Sequence, residues 1–363
     1  MQLDFHYYAT YCAAYLAGYS HEESMDICYS AQFVDHCSKT LLRKIKGPQA
    51  AATTQLQLEL MDARTDVPGL QDITRIWAAF HFLPADLYAP SKGGKRYRSK
   101  YRLICGPNGK LVARTVELAR GKSLQATGIA MHVLADTWAH RYFAGTPSLV
   151  INNTNYYFYE ILEEGGAETE RHIAFRHSPG TPDDLEDGKY TNSVRQNNEN
   201  HIMNLGHGRA GHLPDYSFIK YKYLPAWADY EEIIKDNPSD YMHAFSQMVH
   251  ALRWLRTASP EEDFRTDVYN GALVTPHLKE IREILKRRQT DASADWKAFA
   301  EKLSGREVED FELEKYQEEY KEAPKDEKDD TFLGTFIKAA LTQKRMVTEE
   351  ISAAGIKLAG EWR

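Results

Sequence analysis

The sequence predicts an all-α fold: a multi-helix domain with a long irregular insertion and a C-terminal helical extension. Three observations predict it. The stretch GIAMHVLADTWAHRYFAG carries His132, Asp136 and His140 at four-residue intervals on an otherwise apolar background. Helical residues four apart lie roughly 40° apart around the axis, so the three form one polar stripe. Helix-like runs recur on both sides of it, over 8–46 and 238–303, and an amphipathic segment follows at 331–353. Between them, residues 145–235 are rich in Asn, Gly, Pro and Tyr with weak periodicity, and read as the irregular insertion.

Taken in order, residues 8–19 and 22–46 predict two helices divided at Gly18-Tyr19-Ser20. Ser20 with Glu23 three residues on has the spacing of a capping box. The apolar run IWAAFHFLPADLY is ended by Pro84. Residues 90–106 are basic and Gly-containing, a loop or short hairpin, and Pro107-Asn108-Gly109 signals a turn. A helix over 110–120 leads to the polar-stripe helix over 122–142, which stops at Gly145-Thr146-Pro147. Helices resume at 238–257, 275–289 and 291–303. The charge run 305–330 reads as a solvated helix face plus linker. The segment 331–353, with Phe332, Phe336, Ala339, Leu341 and Met346 apolar, docks on the main domain or on a partner. The implied domains are 1–257, a metal-binding helical domain, and 258–363, a helical extension with the charged linker near 305–330.

The 363 residues are 42% hydrophobic and 27% charged, as in soluble globular proteins. A net charge of -7 argues against a general electrostatic nucleic-acid binder. The start MQLDFHYY lacks a positive n-region, and no apolar run is long enough to span a bilayer. The four cysteines show no CxxC pairing and read as reduced, structural thiols. A cytoplasmic location is the expectation.

Two imidazoles and a carboxylate on one buried helix face are half of a transition-metal site, most plausibly for zinc. Charge in such a helix is costly unless paired or coordinated. Further donors must come from elsewhere. Candidates are His6 with Asp4 in DFHYY, Asp35 in AQFVDHCSK on the second helix, and His81 in AAFHFLP. His207 and His212 in GHGRAGHLPD, followed by Asp215, complete the set. His36, next to Asp35, points about 100° away and is not expected to share its metal.

HVLADTWAH resembles the central helix motif of the zinc-dependent phospholipase C and single-strand nuclease superfamily. DFHYYATYCAAYLAGYS and LGHGRAGHLPD are similar to stretches of an uncharacterised bacterial branch of it. The resemblance spans roughly 1–255 and implies a phospholipase C/nuclease-like helical fold with three zinc ions in a cleft. Carried over by motif order, the ligand roles fall to His6, Asp35, His81, His132, Asp136, His140, His207 and Asp215. Family members begin at a tryptophan whose amino group binds zinc. Here Met1 stands first, leaving Asp4 as a substitute or that metal absent. The spacing of the late pair also departs from the family, so His207 or His212 is the late ligand.

The function implied is metal-dependent hydrolysis of a phosphodiester or phosphoester by a metal-activated water, with two or three zinc ions, or iron or manganese. Asp35 and Asp136 are the expected catalytic carboxylates: Asp136 as a bridge between metals, Asp35 as ligand and orienter of water. Substrates of that chemistry are a phosphate-containing small molecule, a lipid or a nucleic acid. Lys92, Lys95, Arg96, Arg98, Lys100 and Arg102 steer an anionic substrate or form a solvated loop. An HD-type phosphohydrolase needs an adjacent His-Asp pair, whereas Asp35-His36 has the reverse order. The non-enzymatic alternative is a helical binding protein with one closed, structural metal site.

Overall fold

The computed structural model describes residues 1–358 apart from 57, 60–66, 91–100, 178–179, 193–204 and 260. A π-helical segment, Asp4–Ala9, runs into α1 (Thr10–Leu16). Ser20 then caps α2 (His21–Phe33): its hydroxyl accepts from the Glu23 N–H, and the Glu23 carboxylate accepts from the Ser20 N–H. The single helix expected over 22–46 is interrupted. Val34–Cys37 turns, the Thr53 hydroxyl donates to Val34 O at 2.6 Å, and Ser38 caps a new helix, α3 (Lys39–Lys44). Asp35 therefore lies just beyond α2 rather than on it.

After α4 (Val67–Ile76) the chain passes through a second π-helical turn, Trp77–His81. α5 (Lys110–Ala119) precedes the Ser123-capped central helix, α6 (Leu124–Ala139). α6 is buried on almost every side, packed by α2, α5, α7 (Asn237–Thr257) and α10 (Phe332–Ala353). Its polar stripe is thus held in the interior of the fold. A Cβ on Gly128 would lie 2.4 Å from Ile27 O and 2.5 Å from Ser30 Cβ, so the α2–α6 crossing requires glycine.

Beyond residue 257, α8 (Leu278–Lys286), α9 (Ser293–Ser304) and α10 pack into the same core as the first helices, through Ile281, Trp296, Phe336 and Val347. The apolar face of α10 is spent on this core. The charge run is not a solvated linker where it crosses the first helices. Val308 is fully buried, the Tyr7 hydroxyl donates to Glu309 O, and the Tyr29 hydroxyl donates to Leu313 O.

The all-α expectation is overturned within 145–235. The fold is mixed α/β, though mostly helical. In place of an irregular insertion stands an antiparallel sheet of β1 (Tyr159–Glu164), β2 (Ala167–His172), β5 (Lys220–Tyr223) and β6 (Ile233–Asp236), in the order β2-β1-β5-β6. A parallel pair, β3 (Ala174–Arg176) and β4 (Lys189–Thr191), accompanies it. The physical reason is the absence of aliphatic alternation. β2 is nearly all exposed, and in β5 the core positions are Tyr221 and Tyr223. Between them Lys222 is tied by Glu170 and Glu232. This sheet has its own aromatic core of Phe143, Phe158, Tyr190, Tyr221 and Tyr223. Among the described residues no helix is long and apolar enough to cross a membrane.

Candidate metal centre

The helical core and the sheet unit meet around the C-terminal half of α6. His132 and Asp136 lie on one face of that helix, and His140 is its C-cap residue, its N–H donating to Asp136 O at 2.8 Å. The two π-helical segments deliver His6 and His81. Such wide turns are frequent at functional sites. Asp35 comes from the turn after α2. From the sheet unit come His207, on the short helix Gly206–Ala210, and Asp215, in the 3-10 turn Leu213–Asp215. All eight donors named from the sequence converge here.

Asp136 is central and 1% exposed in its side chain. Its Oδ2 lies 3.1 Å from His81 Nδ1 and 3.2 Å from His132 Nε2; its Oδ1 lies 3.2 Å from His6 Nε2. The Asp35 oxygens stand 3.9–4.0 Å from His6, His81 and His132. Asp215 Oδ1 is 3.3 Å from His140 Nε2, and its Oδ2 is 3.6 Å from His207 Nε2. Three groups result, His6–Asp35–His132, His81–His132–Asp136 and His140–His207–Asp215, each with donor atoms within 4.8 Å of one another. Each could hold a metal ion, and His132 belongs to two of them.

Backbone carbonyls orient the rings. A carbonyl can only accept, so His132 donates from Nδ1 to Ala31 O (2.9 Å), His81 from Nε2 to Thr53 O (2.9 Å) and His140 from Nδ1 to His81 O (2.6 Å). In the neutral rings the other nitrogen of each points its lone pair at carboxylate oxygens. Two lone pairs at 3.1–3.3 Å repel unless a proton or a cation lies between them. Among the described residues the buried His6 ring nitrogens and His207 Nε2 make no hydrogen bond. Orphaned nitrogens beside ionised carboxylates suit a transition metal, and carbonyl-anchored imidazoles are the usual outer support of such sites.

The titration behaviour agrees with a dense, buried array. Burial opposes ionisation of Asp136 and Asp215, but His140, His207 and the Met1 ammonium outweigh it and hold both carboxyls well below the usual range. For Asp35 burial is likewise outweighed, by His132, His6 and His81, and its carboxyl is lowered. Burial, with His132 nearby, pushes His6 down to about 4. It also lowers His140. His81 goes the other way: burial alone would lower it, but its contact with Asp136 raises it.

The structure places the sequence's alternatives differently from one another. His207 faces Asp215, whereas His212 turns to the Tyr216 hydroxyl (3.3 Å) and Asp183. Asp4 does not reach the centre. Its carboxylate accepts from the Phe5 and Ala292 N–H groups, and burial pushes it up to about 6. His36 contacts Gln32 and stacks on Phe311. Lys92, Lys95, Arg96, Arg98 and Lys100 lie outside the described residues, and Arg102 donates to Ala89 O.

Two participants were not among the residues named from the sequence, although the resemblance pointed to a metal-binding amino terminus. The Met1 amino group is buried 3.0 Å from Asp136 Oδ1 and 3.2 Å from Asp215 Oδ1. Burial would lower its pKa, but Asp136 and Asp215 raise it to about 11. The fully buried Asn237 amide donates to Leu213 O and Tyr216 O, both at 2.7 Å, and so clamps the turn that presents Asp215. Its only sequence signal is an Asn-Pro pair at a helix start, which reads as a cap.

Comparison with known proteins gives a family without an activity. Residues 1–351 match the model of DUF6765, a family of unknown function, and the chain belongs to that family. No curated protein and no solved structure matches it.

Proposed function

We propose that this protein is a metal-dependent hydrolase of phosphodiesters or phosphoesters, holding two or three zinc ions. The observation that carries the reading is the convergence of imidazole lone pairs and ionised carboxylates at 3.1–3.6 Å, with buried ring nitrogens left unbonded. The resemblance of HVLADTWAH to the zinc phospholipase and nuclease motif supports the reaction class. Metal ions bound there would polarise a phosphoryl oxygen and lower the pKa of water towards ~7.

The chain's own groups then have distinct roles. Asp136 offers one oxygen to the His81–His132 side and the other to His6, so it can bridge two groups. Asp35 has the most exposed side chain of the donors, at 29%. Its carboxyl is lowered and therefore ionised at neutral pH, ready to orient a water and take its proton. His207 and Asp215, at 19% and 14% exposure, keep a second open flank. Partial exposure of three donors favours a reactive centre, since structural sites are closed by their ligands.

The test is elemental analysis of untagged protein purified without added metal, followed by hydrolysis of bis(p-nitrophenyl) phosphate before and after chelation. Two or three zinc, iron or manganese ions per chain, with activity lost on chelation and restored by metal, are expected. Protein that takes up no metal on reconstitution overturns the reading.

A further inference from the structure

A second concavity lies between the end of α5, the first turns of α6 and one face of α10, and no donor of the metal centre lines it. Its volume is about 330 Å³, within the range of roughly 300–1,000 Å³ for small-molecule sites. The space exists because small residues meet there. Ala119, Ile129 and Ala130 form a buried floor, and Ala126 and Ala339 stand on facing helices as partly exposed walls.

Three features define an occupant. The surface is mostly apolar, which calls for a hydrocarbon body. The charged residues lining it are Lys122 and Lys338, both at the rim. Lys338 also meets Asp329 at 3.2 Å, whereas Lys122 is exposed and makes no ion pair among the described residues. The N-terminus of α6 opens on the same rim, and its partial charge has the same sign. The rim therefore complements one anionic head group. Third, the floor holds a polar anchor. Gln343 is 2% exposed, and its Nε2 donates to Ala79 O (3.1 Å) and Thr115 Oγ1 (3.0 Å), which fixes the amide. Among the described residues nothing donates to its Oε1. A hydroxyl at the far end of the chain would meet that oxygen.

We infer that this groove binds a medium-chain hydroxy fatty acid, its carboxylate at the Lys122 rim, its chain over Ala119, Ile129 and Ala130, and its hydroxyl on Gln343. The inference is independent of the hydrolase reading.

Isothermal titration of the full chain with 10-hydroxydecanoate, decanoate and decyltrimethylammonium tests it. The expected order is 10-hydroxydecanoate bound 1:1, decanoate roughly fivefold weaker for the lost hydrogen bond, and no binding of the cation. Ala339→Phe fills the groove and abolishes binding. Lys122→Glu, an exposed change that leaves the fold intact, weakens 10-hydroxydecanoate roughly tenfold. Equal affinity for the cation, or binding unchanged in Ala339→Phe of native thermal stability, overturns the inference. So does a wild-type dimer that Ala339→Phe dissociates, which would give the groove to a second copy.

Discussion

Replacing Asp136 by Asn keeps the size of the side chain and removes its charge. In the metal-free protein that charge faces His81 at 3.1 Å, His6 and His132 at 3.2 Å, and the Met1 ammonium at 3.0 Å. Removing one partner from a buried charge pair costs about 3–5 kcal/mol, because the remaining charge stays desolvated. Asp215 still meets the ammonium at 3.2 Å, which places the expected loss near the low end, ~3 kcal/mol. For a chain of this size that lowers the melting temperature by roughly 4 °C. The pH dependence has a definite sign. The folded carboxyl titrates well below its unfolded value of about 3.9. Its contribution is therefore fully present above that unfolded value and is lost as pH falls through the folded one. The carboxyl's own contribution should shrink only below about pH 4, whereas between about pH 7 and 5 the gap should widen as pH falls, because without Asp136 burial lowers His81 and the unfolded variant takes up that proton first. Chelator-treated wild type and Asp136→Asn would be compared by thermal unfolding, and the untreated pair by elemental analysis. The variant should also lose at least one metal ion per chain. An unchanged metal content would refute Asp136 as a ligand, and an unchanged metal-free melting temperature would refute the buried charge array.

Other expectations concern single elements. His207→Ala should lower metal content while His212→Ala leaves it at the wild-type value; the reverse result would mean that the turn carrying Asp215 is misplaced. His6 has a folded pKa near 4 against about 6.5 unfolded. The unfolded chain takes up its proton first, so metal-free stability falls as pH drops from about 6.5 to 4. His6→Gln should flatten that slope, measured by denaturant titration at several pH values. Asp4→Asn should leave metal content unchanged, because among the described residues the Asp4 carboxylate accepts from the Phe5 and Ala292 backbone N–H groups and not from the donor array. Gly128→Ala drives a methyl to 2.4 Å from Ile27 O and should destabilise the fold by about 1–3 kcal/mol, which calorimetry would detect.

Much of the centre was legible because its nucleus is local. His132, Asp136 and His140 are related by helical geometry alone, and the Ser20–Glu23 cap is equally local. The remaining donors were recognisable as polar residues in apolar settings, since an imidazole or carboxylate there needs a partner. The sheet was not legible. Its core positions are tyrosines, its outer lysines are neutralised across strands, and β2 is exposed along nearly all its length. The break after α2 was also hidden, because the Thr53 hydroxyl that marks it at Val34 O lies 19 residues away.

By itself the sequence determined the donor types and the helix stripe that orders three of them, because side-chain chemistry and 3.6-residue periodicity need no long-range information. Only the tertiary structure decided how the stripe is completed. It set His207 rather than His212 against Asp215, turned Asp4 away, and brought the Met1 amine to Asp136 across 135 residues. It also set the ring orientations, through Ala31, Thr53 and His81 carbonyls that carry no side-chain signal at all. Such contacts depend on which backbones come to lie side by side when α6 is buried, and that is a property of the packed core.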